Sequence, residues 1–297
     1  MIMLMEYLWV YVGLVLFGLC LGSFAGASVW RLRARQLEED KAAGEEIDSH
    51  EYKQLKHLHR INKAKDSSRC LRCGHTLAWY DLVPLVSWLS LRGKCRYCKA
   101  PIGRFEPIME LAVAAFFVLS FVFWPFELTA PLAIAQFVVW LVAGVGLAIL
   151  FAYDLKWFLL PNVVMFGVIE LGAASALLVL LQTSDMLGTL ASILTSIFIL
   201  SGVYLLIYIA SKGQWIGFGD IKLGLALALL LADWRLAFLA LFAANLIGCL
   251  IVIPGMLAGK ITRTTRIPFG PLLIVGMLVS FFAGRVILDL YFSGLMV

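Results

Sequence analysis

Charge is scarce in this chain. Only 14% of its residues are charged and 62% are hydrophobic, whereas soluble domains carry about 25% charged residues. That shortage rules against a water-soluble fold. Other features are missing as well. No glycine-rich loop followed by Lys and Ser or Thr offers to cradle nucleotide phosphates, and no dinucleotide-type glycine fingerprint marks a cofactor site. Internal repeats and low-complexity tracts are absent, and so is the inverted repeat with broken helices that marks many transporters. The first apolar run has no basic segment ahead of it, carries Glu6 instead and is too long for a signal-peptide core. It reads as a retained helix.

What the chain does contain is long apolar runs. A bilayer core about 30 Å thick needs roughly 20 apolar residues per helix. Runs of that kind lie at 7–30, 107–124, 132–153, 163–181, 187–209, 236–257 and 272–292, with a shorter one at 221–231. The expectation is an all-α polytopic membrane protein of about eight transmembrane helices. Lys and Arg collect on the cytoplasmic side of membrane proteins, and 16 of the 24 lie in the polar stretch 31–106. If all eight runs cross, Lys156, Lys212, Lys222, Lys260, Arg263 and Arg266 join that side, leaving Arg235 and Arg285 elsewhere. The short run is therefore kept, with both termini outside. The net charge of +5 is then a signature of topology rather than of nucleic-acid binding. The division expected is a first helix at 1–30, a cytoplasmic domain at 31–106 and a seven-helix membrane domain at 107–297. Within the second, residues 33–69 mix both signs of charge and read as a solvated, partly helical arm.

Four of the six cysteines form two pairs, Cys70 with Cys73 and Cys95 with Cys98, separated by 21 residues. Thiolates two residues apart on tight turns can both reach one Zn²⁺ at about 2.3 Å, and two such pairs close a tetrahedral structural site. A reducing cytoplasm disfavours disulfides, so a zinc-ribbon-like loop is expected, with free or redox-active thiols as the alternative. His75 reads as a surface histidine. Cys20 and Cys249, inside apolar runs, read as small buried hydrophobes.

Ionisable groups at membrane depth are costly and mark function. Asp154 ends the third run and Asp220 opens the short sixth one, in Gly217-Phe218-Gly219-Asp220. The charge-based topology puts both at the cytoplasmic ends of their helices. Two neighbouring carboxylates hold one proton between them, so the charged member can take a proton from water while the protonated one polarises a scissile carbonyl. Helix direction suggests Asp220, at a helix N-terminus, as the ionised member and Asp154 as the protonated one. Blander readings stand beside these. Asp220 could be an ordinary N-cap, Asp154 an interfacial charge near Lys156, and Arg285 and Asp289, four apart, an intrahelical pair. Glu110 and Glu170 are further acids in or beside the spans.

Taken together, these segments resemble the prepilin peptidase family, the bifunctional leader peptidases and N-methyltransferases of type IV pili and type II secretion. The resemblance is densest from Ser68 to Leu111, including Val83-Pro84-Leu85-Val86-Ser87-Trp88-Leu89 and Leu91-Arg92-Gly93-Lys94-Cys95-Arg96. It continues in Gly22-Ser23-Phe24, in the segment from Asp154 to Pro161 and in that from Gly217 to Leu223. It implies an inner-membrane aspartyl protease of the Gly-x-Gly-Asp type whose catalytic acids match Asp154 and Asp220. The implied substrates are prepilins and pseudopilins with a short basic leader and a hydrophobic helix, cut after a glycine at the cytoplasmic face. In bifunctional members S-adenosylmethionine then methylates the new amino terminus, and Glu110 matches the acidic position of that region. Membrane lipid is the surrounding partner and no nucleic acid is implied. Three positions depart from the common pattern. Gly26 stands where Asn is frequent, Phe105-Glu106-Pro107 where Arg-Tyr-Pro is frequent, and Asn162 where Asp is frequent. The first two bear on methyl transfer more than on proteolysis, so a peptidase without methyltransferase activity is one alternative. An ion-coupled transporter with a zinc docking loop and a non-catalytic assembly factor for a pilus or secretion machine are the others.

Overall fold

The computed structural model describes residues 7–58, 67–262 and 265–294. Arg263 and residues 59–66 of the charged arm lie outside them. The chain forms two compact units, Met1–Val118 and Leu119–Val297.

In the first unit, α1 (Leu8–Ala42) runs well past the expected end of the apolar stretch. Gly18, Gly22 and Gly26, one turn apart, face α4 (Phe105–Val122). A Cβ on Gly18 would lie 2.6 Å from Ala114 Cα and one on Gly22 2.5 Å from Glu110 Cα. Small residues at this spacing let membrane helices approach backbone to backbone. The polar extension of α1 carries its own packing, which the mixed charges of the arm concealed. Ala34, Leu37 and Leu55 are fully or almost fully buried, with Trp30, Tyr52 and Leu71 against them. Leu55 directly follows α2 (Ser49–Gln54), which Asp48 caps by accepting from the N–H groups of His50 and Glu51. Arg33 donates to Glu51 at 3.0 and 2.6 Å. A short α3 (Val86–Ser90) lies between the cysteine pairs.

The second unit is a helical bundle of α5 (Pro131–Trp157), α6 (Asn162–Gln182), α7 (Met186–Ala210), α8 (Phe218–Leu231), α9 (Trp234–Leu257) and α10 (Phe269–Gly294). Among the described residues, seven helices are long and apolar enough to cross a membrane. The eighth, α8, has 14 residues and at ~1.5 Å per residue spans only about 21 Å. It is tolerated because protein surrounds it: Ile221, Leu223, Gly224, Ala226, Leu227, Ala228, Leu230 and Leu231 are all buried. Irregular backbone at membrane depth is permitted where protein covers it.

Close approach is what makes that enclosure possible. On one side, a Cβ at Gly172 of α6 would sit 3.0 Å from Leu229 Cβ. On the other, α7 contains a π-helical stretch, Phe198–Gly202, which pushes the Leu200 carbonyl against Gly224 of α8. Ser201 there donates to the Ile221 carbonyl at 2.9 Å. Such π-bulges are frequent at functional sites. Because the atom facing Gly224 is backbone, it cannot rotate away. Gly224→Ala is therefore expected to cost about 1–3 kcal/mol through overpacking. Thermal unfolding of the purified protein checks this, and an unchanged midpoint would contradict the contact.

Candidate active site and metal centre

The four cysteines converge. Sγ atoms of Cys70, Cys73, Cys95 and Cys98 all lie within 4.8 Å of one another, and those of Cys70 and Cys98 are 3.9 Å apart. A tetrahedral ion with metal–sulfur bonds of about 2.3 Å needs sulfurs roughly 3.8 Å apart, so the donor set fits a metal ion.

Each pair sits on one copy of the same turn, offset by 25 residues. Cys70 N–H donates to His75 O at 3.0 Å and Gly74 N–H to Cys70 O at 2.8 Å; Cys95 N–H donates to Ala100 O at 2.9 Å and Lys99 N–H to Cys95 O at 2.9 Å. Arg69 bridges to Thr76 and Lys94 to Pro101 in the same antiparallel way. Burial pushes the Cys70 thiol up to about 12, so a metal ion that binds here must displace a firmly held proton.

Asp81 fastens the second turn to the segment between the pairs. It accepts from Arg96 Nε at 2.7 Å and from the Tyr97 hydroxyl at 2.9 Å. Burial alone would raise its pKa, but Arg96, Tyr97 and the Ala78 N–H together hold it below the ordinary value. His75 is exposed, as expected, with its ring 3.6 Å from that of Tyr97.

In the second unit, Asp154 and Asp220 lie at one end of the bundle. Three contacts draw their helices together. Gly219 packs on Leu160, where a Cβ would lie 3.1 Å from Leu160 Cδ1. Lys222 Nζ donates to Asn162 Oδ1 at 2.9 Å. Gly270, at the start of α10, faces both Asp154 and Leu223. The charge of Asp154 is felt at Asp220.

Local geometry corrects two of the blander readings. The N-cap of α8 is Gly217 and Asp220 is the third helical residue, so Asp220 is not the cap. Its carboxylate lies close to the Gly217 backbone instead, and its own N–H donates to the Gly217 carbonyl at 3.1 Å. Asp154 is 5% exposed and accepts from the Gly270 N–H at 3.0 Å. It is therefore not a solvated interfacial charge, and Lys156 lies over the Trp157 ring.

The first N–H groups of a helix have no partner within it and carry a partial positive charge. The N-termini of α8 and α10 thus both point at the acidic pair. This offsets the contrast in helix direction expected between the two acids. Gly270 occupies Oδ2 of Asp154.

Gly270 and Tyr204 did not emerge from the sequence. Tyr204 is 5% exposed, its ring 5.3 Å from Phe269, and its hydroxyl feels the charge of Asp220 and accepts from Asn245 at 3.5 Å. The helix-opening run Pro268-Phe269-Gly270-Pro271 was the available signal for Gly270; a lone Tyr inside an apolar run gives none.

The remaining candidates separate. Glu110 is 6% exposed and accepts from Leu85 N–H at 2.8 Å, with Ser23 close to its carboxylate. Three separated sequence segments thus meet at one carboxylate. Glu106 accepts from Trp30 Nε1 at 3.2 Å, while its Oε2 is buried without a partner. Glu170 is exposed on α6. Arg285 and Asp289 form no ion pair; Arg285 lies 5.7 Å from the Phe126 ring, a cation–π contact that takes the guanidinium from its intrahelical neighbour. Cys20 and Cys249 are exposed rather than buried, on helix faces that meet lipid, where a thiol behaves as a small hydrophobe.

A polytopic helical membrane protein with two acids at one end of its bundle and a four-cysteine loop is the class this geometry defines. Residues 16–124 match the family described as the bacterial peptidase A24 N-terminal domain, and residues 141–253 match the type IV leader peptidase family. The chain is 31% identical to the "Type 4 prepilin-like proteins leader peptide-processing enzyme" of Escherichia coli O78:H11, over 89% of this chain and 91% of that one. It is 29% identical to the "Prepilin leader peptidase/N-methyltransferase" of Pseudomonas aeruginosa, over 93% and 91% respectively. A Legionella pneumophila protein of the same name is 26% identical over 97% of both chains. No solved structure matches. The chain belongs to the type IV leader peptidase family.

The matched turns of the cysteine loop differ at one position. Gly74 has φ +73° and its counterpart Lys99 has φ +59°, a left-handed conformation that suits glycine better than lysine. In Lys99→Gly, relief of the left-handed clash, roughly 1–2 kcal/mol, exceeds the roughly 0.5–1 kcal/mol that glycine's extra unfolded-chain freedom costs, so loop stability is expected to rise by about 0.5–1 kcal/mol. Limited proteolysis of the loop in a urea series measures it; a loss of stability would contradict the assigned conformation.

Proposed function

We propose that this chain is a membrane aspartyl endopeptidase that removes the leader from type IV prepilins and pseudopilins, with Asp154 and Asp220 as the catalytic pair. The observation that carries this reading is the Gly270 N–H bound to Asp154 at the bundle end where Asp220 opens α8. Neighbouring carboxylates share one proton. The ionised member takes a proton from the attacking water and the protonated one donates a hydrogen bond to the scissile carbonyl. Those roles exchange as the tetrahedral intermediate collapses and the leaving amine is protonated. The pair titrates as a unit.

Orientation follows from charge. With 16 of 24 Lys and Arg in residues 31–106, that stretch faces the cytoplasm of the inner membrane and the eight-helix topology puts both acids on the same side. A substrate with a basic leader in the cytoplasm and a hydrophobic helix in the bilayer meets the pair there. In this division 1–30 is the first membrane helix, 31–106 the zinc-binding domain and 107–297 the peptidase.

The relatives' names include N-methyltransferase, and S-adenosylmethionine would supply a cationic methyl group to the new amino terminus. In this chain Glu110 and the unpartnered Glu106 Oε2 provide buried carboxyl oxygens that suit a cationic donor, with the Leu85 N–H holding Glu110 in place.

Purified enzyme incubated with a prepilin and S-adenosylmethionine, with mass spectrometry of the product, tests both activities. Asp154→Asn and Asp220→Asn are each expected to slow leader removal by about 10²- to 10⁴-fold. Glu110→Gln is expected to leave cleavage intact and abolish the methyl mass increment. Full cleavage by both Asn variants would end the dyad assignment.

For the metal we propose structural zinc on Cys70, Cys73, Cys95 and Cys98. Elemental analysis of purified protein is expected to find stoichiometric zinc that Cys95→Ser removes, together with lowered resistance of the loop to proteolysis. A wild-type protein without bound metal would refute it.

A further inference from the structure

At the end of the Leu119–Val297 unit opposite Asp154 and Asp220, a cavity of about 380 Å³ opens among the helices. That lies within the roughly 300–1,000 Å³ typical of small-molecule sites. Gln136 of α5 lines it, 18 residues from Asp154 on the same helix, or about 27 Å. The last residues of α8, Leu230 and Leu231, form another wall. Because α8 spans about 21 Å of a hydrocarbon core about 30 Å thick, the cavity falls where the short helix stops. Polar backbone ends there have to be met by protein, water or headgroups.

Charged groups of both signs face this space without touching. Arg285, Asp185 and Asp233 all line it, yet no ion pair joins Arg285 to either acid among the described residues. Each acid uses one oxygen for helix capping. Asp185 Oδ1 accepts from Gly188 N–H at 3.0 Å, and Asp233 Oδ1 accepts from Arg235 and Leu236 N–H at 2.8 and 3.4 Å. Among the described residues, the second oxygen of each has no protein donor. Trp124, also in the wall, has a buried Nε1–H with no acceptor.

A guanidinium that lies over the Phe126 ring but joins no ion pair, an orphan indole N–H and two half-used carboxylates around one cavity complement a zwitterion. One end of it must accept hydrogen bonds as an anion and the other must donate them as a cation. We propose that this cavity binds the headgroup of an aminophospholipid, with the phosphate toward Arg285 and Trp124 and the primary ammonium toward Asp185 and Asp233. The chemistry discriminates among lipids. A choline headgroup has no N–H to give to the carboxylates, and a glycerol headgroup brings an uncompensated negative charge beside two acids.

The test is lipid retention by delipidated full-length protein in detergent, read by native mass spectrometry after adding phosphatidylethanolamine, phosphatidylglycerol and phosphatidylcholine in equal amounts. A single phosphatidylethanolamine is expected to remain, favoured over the others by about tenfold or more. Arg285→Gln is expected to lower that retention by about tenfold, and so is the double variant Asp185→Asn with Asp233→Asn, in which Asn still caps both helices. Unchanged melting and unchanged prepilin cleavage show that each variant is folded. Glycerophosphoethanolamine, which lacks acyl chains, is expected not to displace the lipid. Equal retention of all three lipids, retention of none, displacement by the chainless headgroup, or variants that hold phosphatidylethanolamine like wild type would each overturn the proposal.

Discussion

A helix of 14 residues cannot cross a hydrocarbon core about 30 Å thick, and the Leu119–Val297 unit is arranged around that shortfall. A short span exposed to lipid would leave backbone groups at both ends without partners. The bundle answers by burying α8 among α6, α7, α9 and α10, with Gly172 and Gly224 at the closest approaches. A buried helix must also be apolar on nearly every side, and the run from Ile221 to Leu231 is. Its first turn is the exception: Asp220 sits there half-buried, behind the exposed Phe218.

The same constraint explains how two acids can face one another in a chain so poor in charge. A carboxylate in an apolar bundle needs donors, and a helix start supplies them without further charged residues. Gly217 caps α8 and Gly270 lies in the first turn of α10; the Gly270 N–H bonds Asp154, and Gly217 lies close to Asp220. Glycine suits both places, because a Cβ at Gly270 would lie 2.7 Å from Asp154 Oδ2. Asp154 is thus held by backbone rather than by a cation.

The spans, the cysteine quartet and the two acids were legible in the sequence because each rests on a strong local signal: apolar run length, paired Cys-x-x-Cys spacing, or an acid where almost no acids occur. What was hidden depends on contacts between distant segments. Gly270 lies 116 residues from Asp154, and no local pattern announces that an N–H at one helix start will serve an acid at the end of another. The π-helical stretch in α7 reads as ordinary helix in sequence, because its extra residue is visible only in the hydrogen bonds. The arm at 33–69 looked solvated because its charges outnumber its apolar residues, yet Leu37 and Leu55 suffice to bury a small core. Arg285 was paired with Asp289 by spacing, but spacing cannot see the Phe126 ring that takes the guanidinium.

The Met1–Val118 unit obeys a different rule, since little of its loop could hold together by burial alone. Its two cysteine turns repeat one backbone pattern at an offset of 25 residues, although their sequences share little beyond the cysteines. Identical hydrogen bonds from dissimilar residues mean that the turn is dictated by where two sulfurs must point, not by side-chain packing. Lys99 adopting the left-handed conformation of Gly74 is the clearest sign, because lysine has no preference of its own for that region. The convergence of the four sulfurs outweighs the local preference of the chain at Lys99, as the close spacing of the donor set shows.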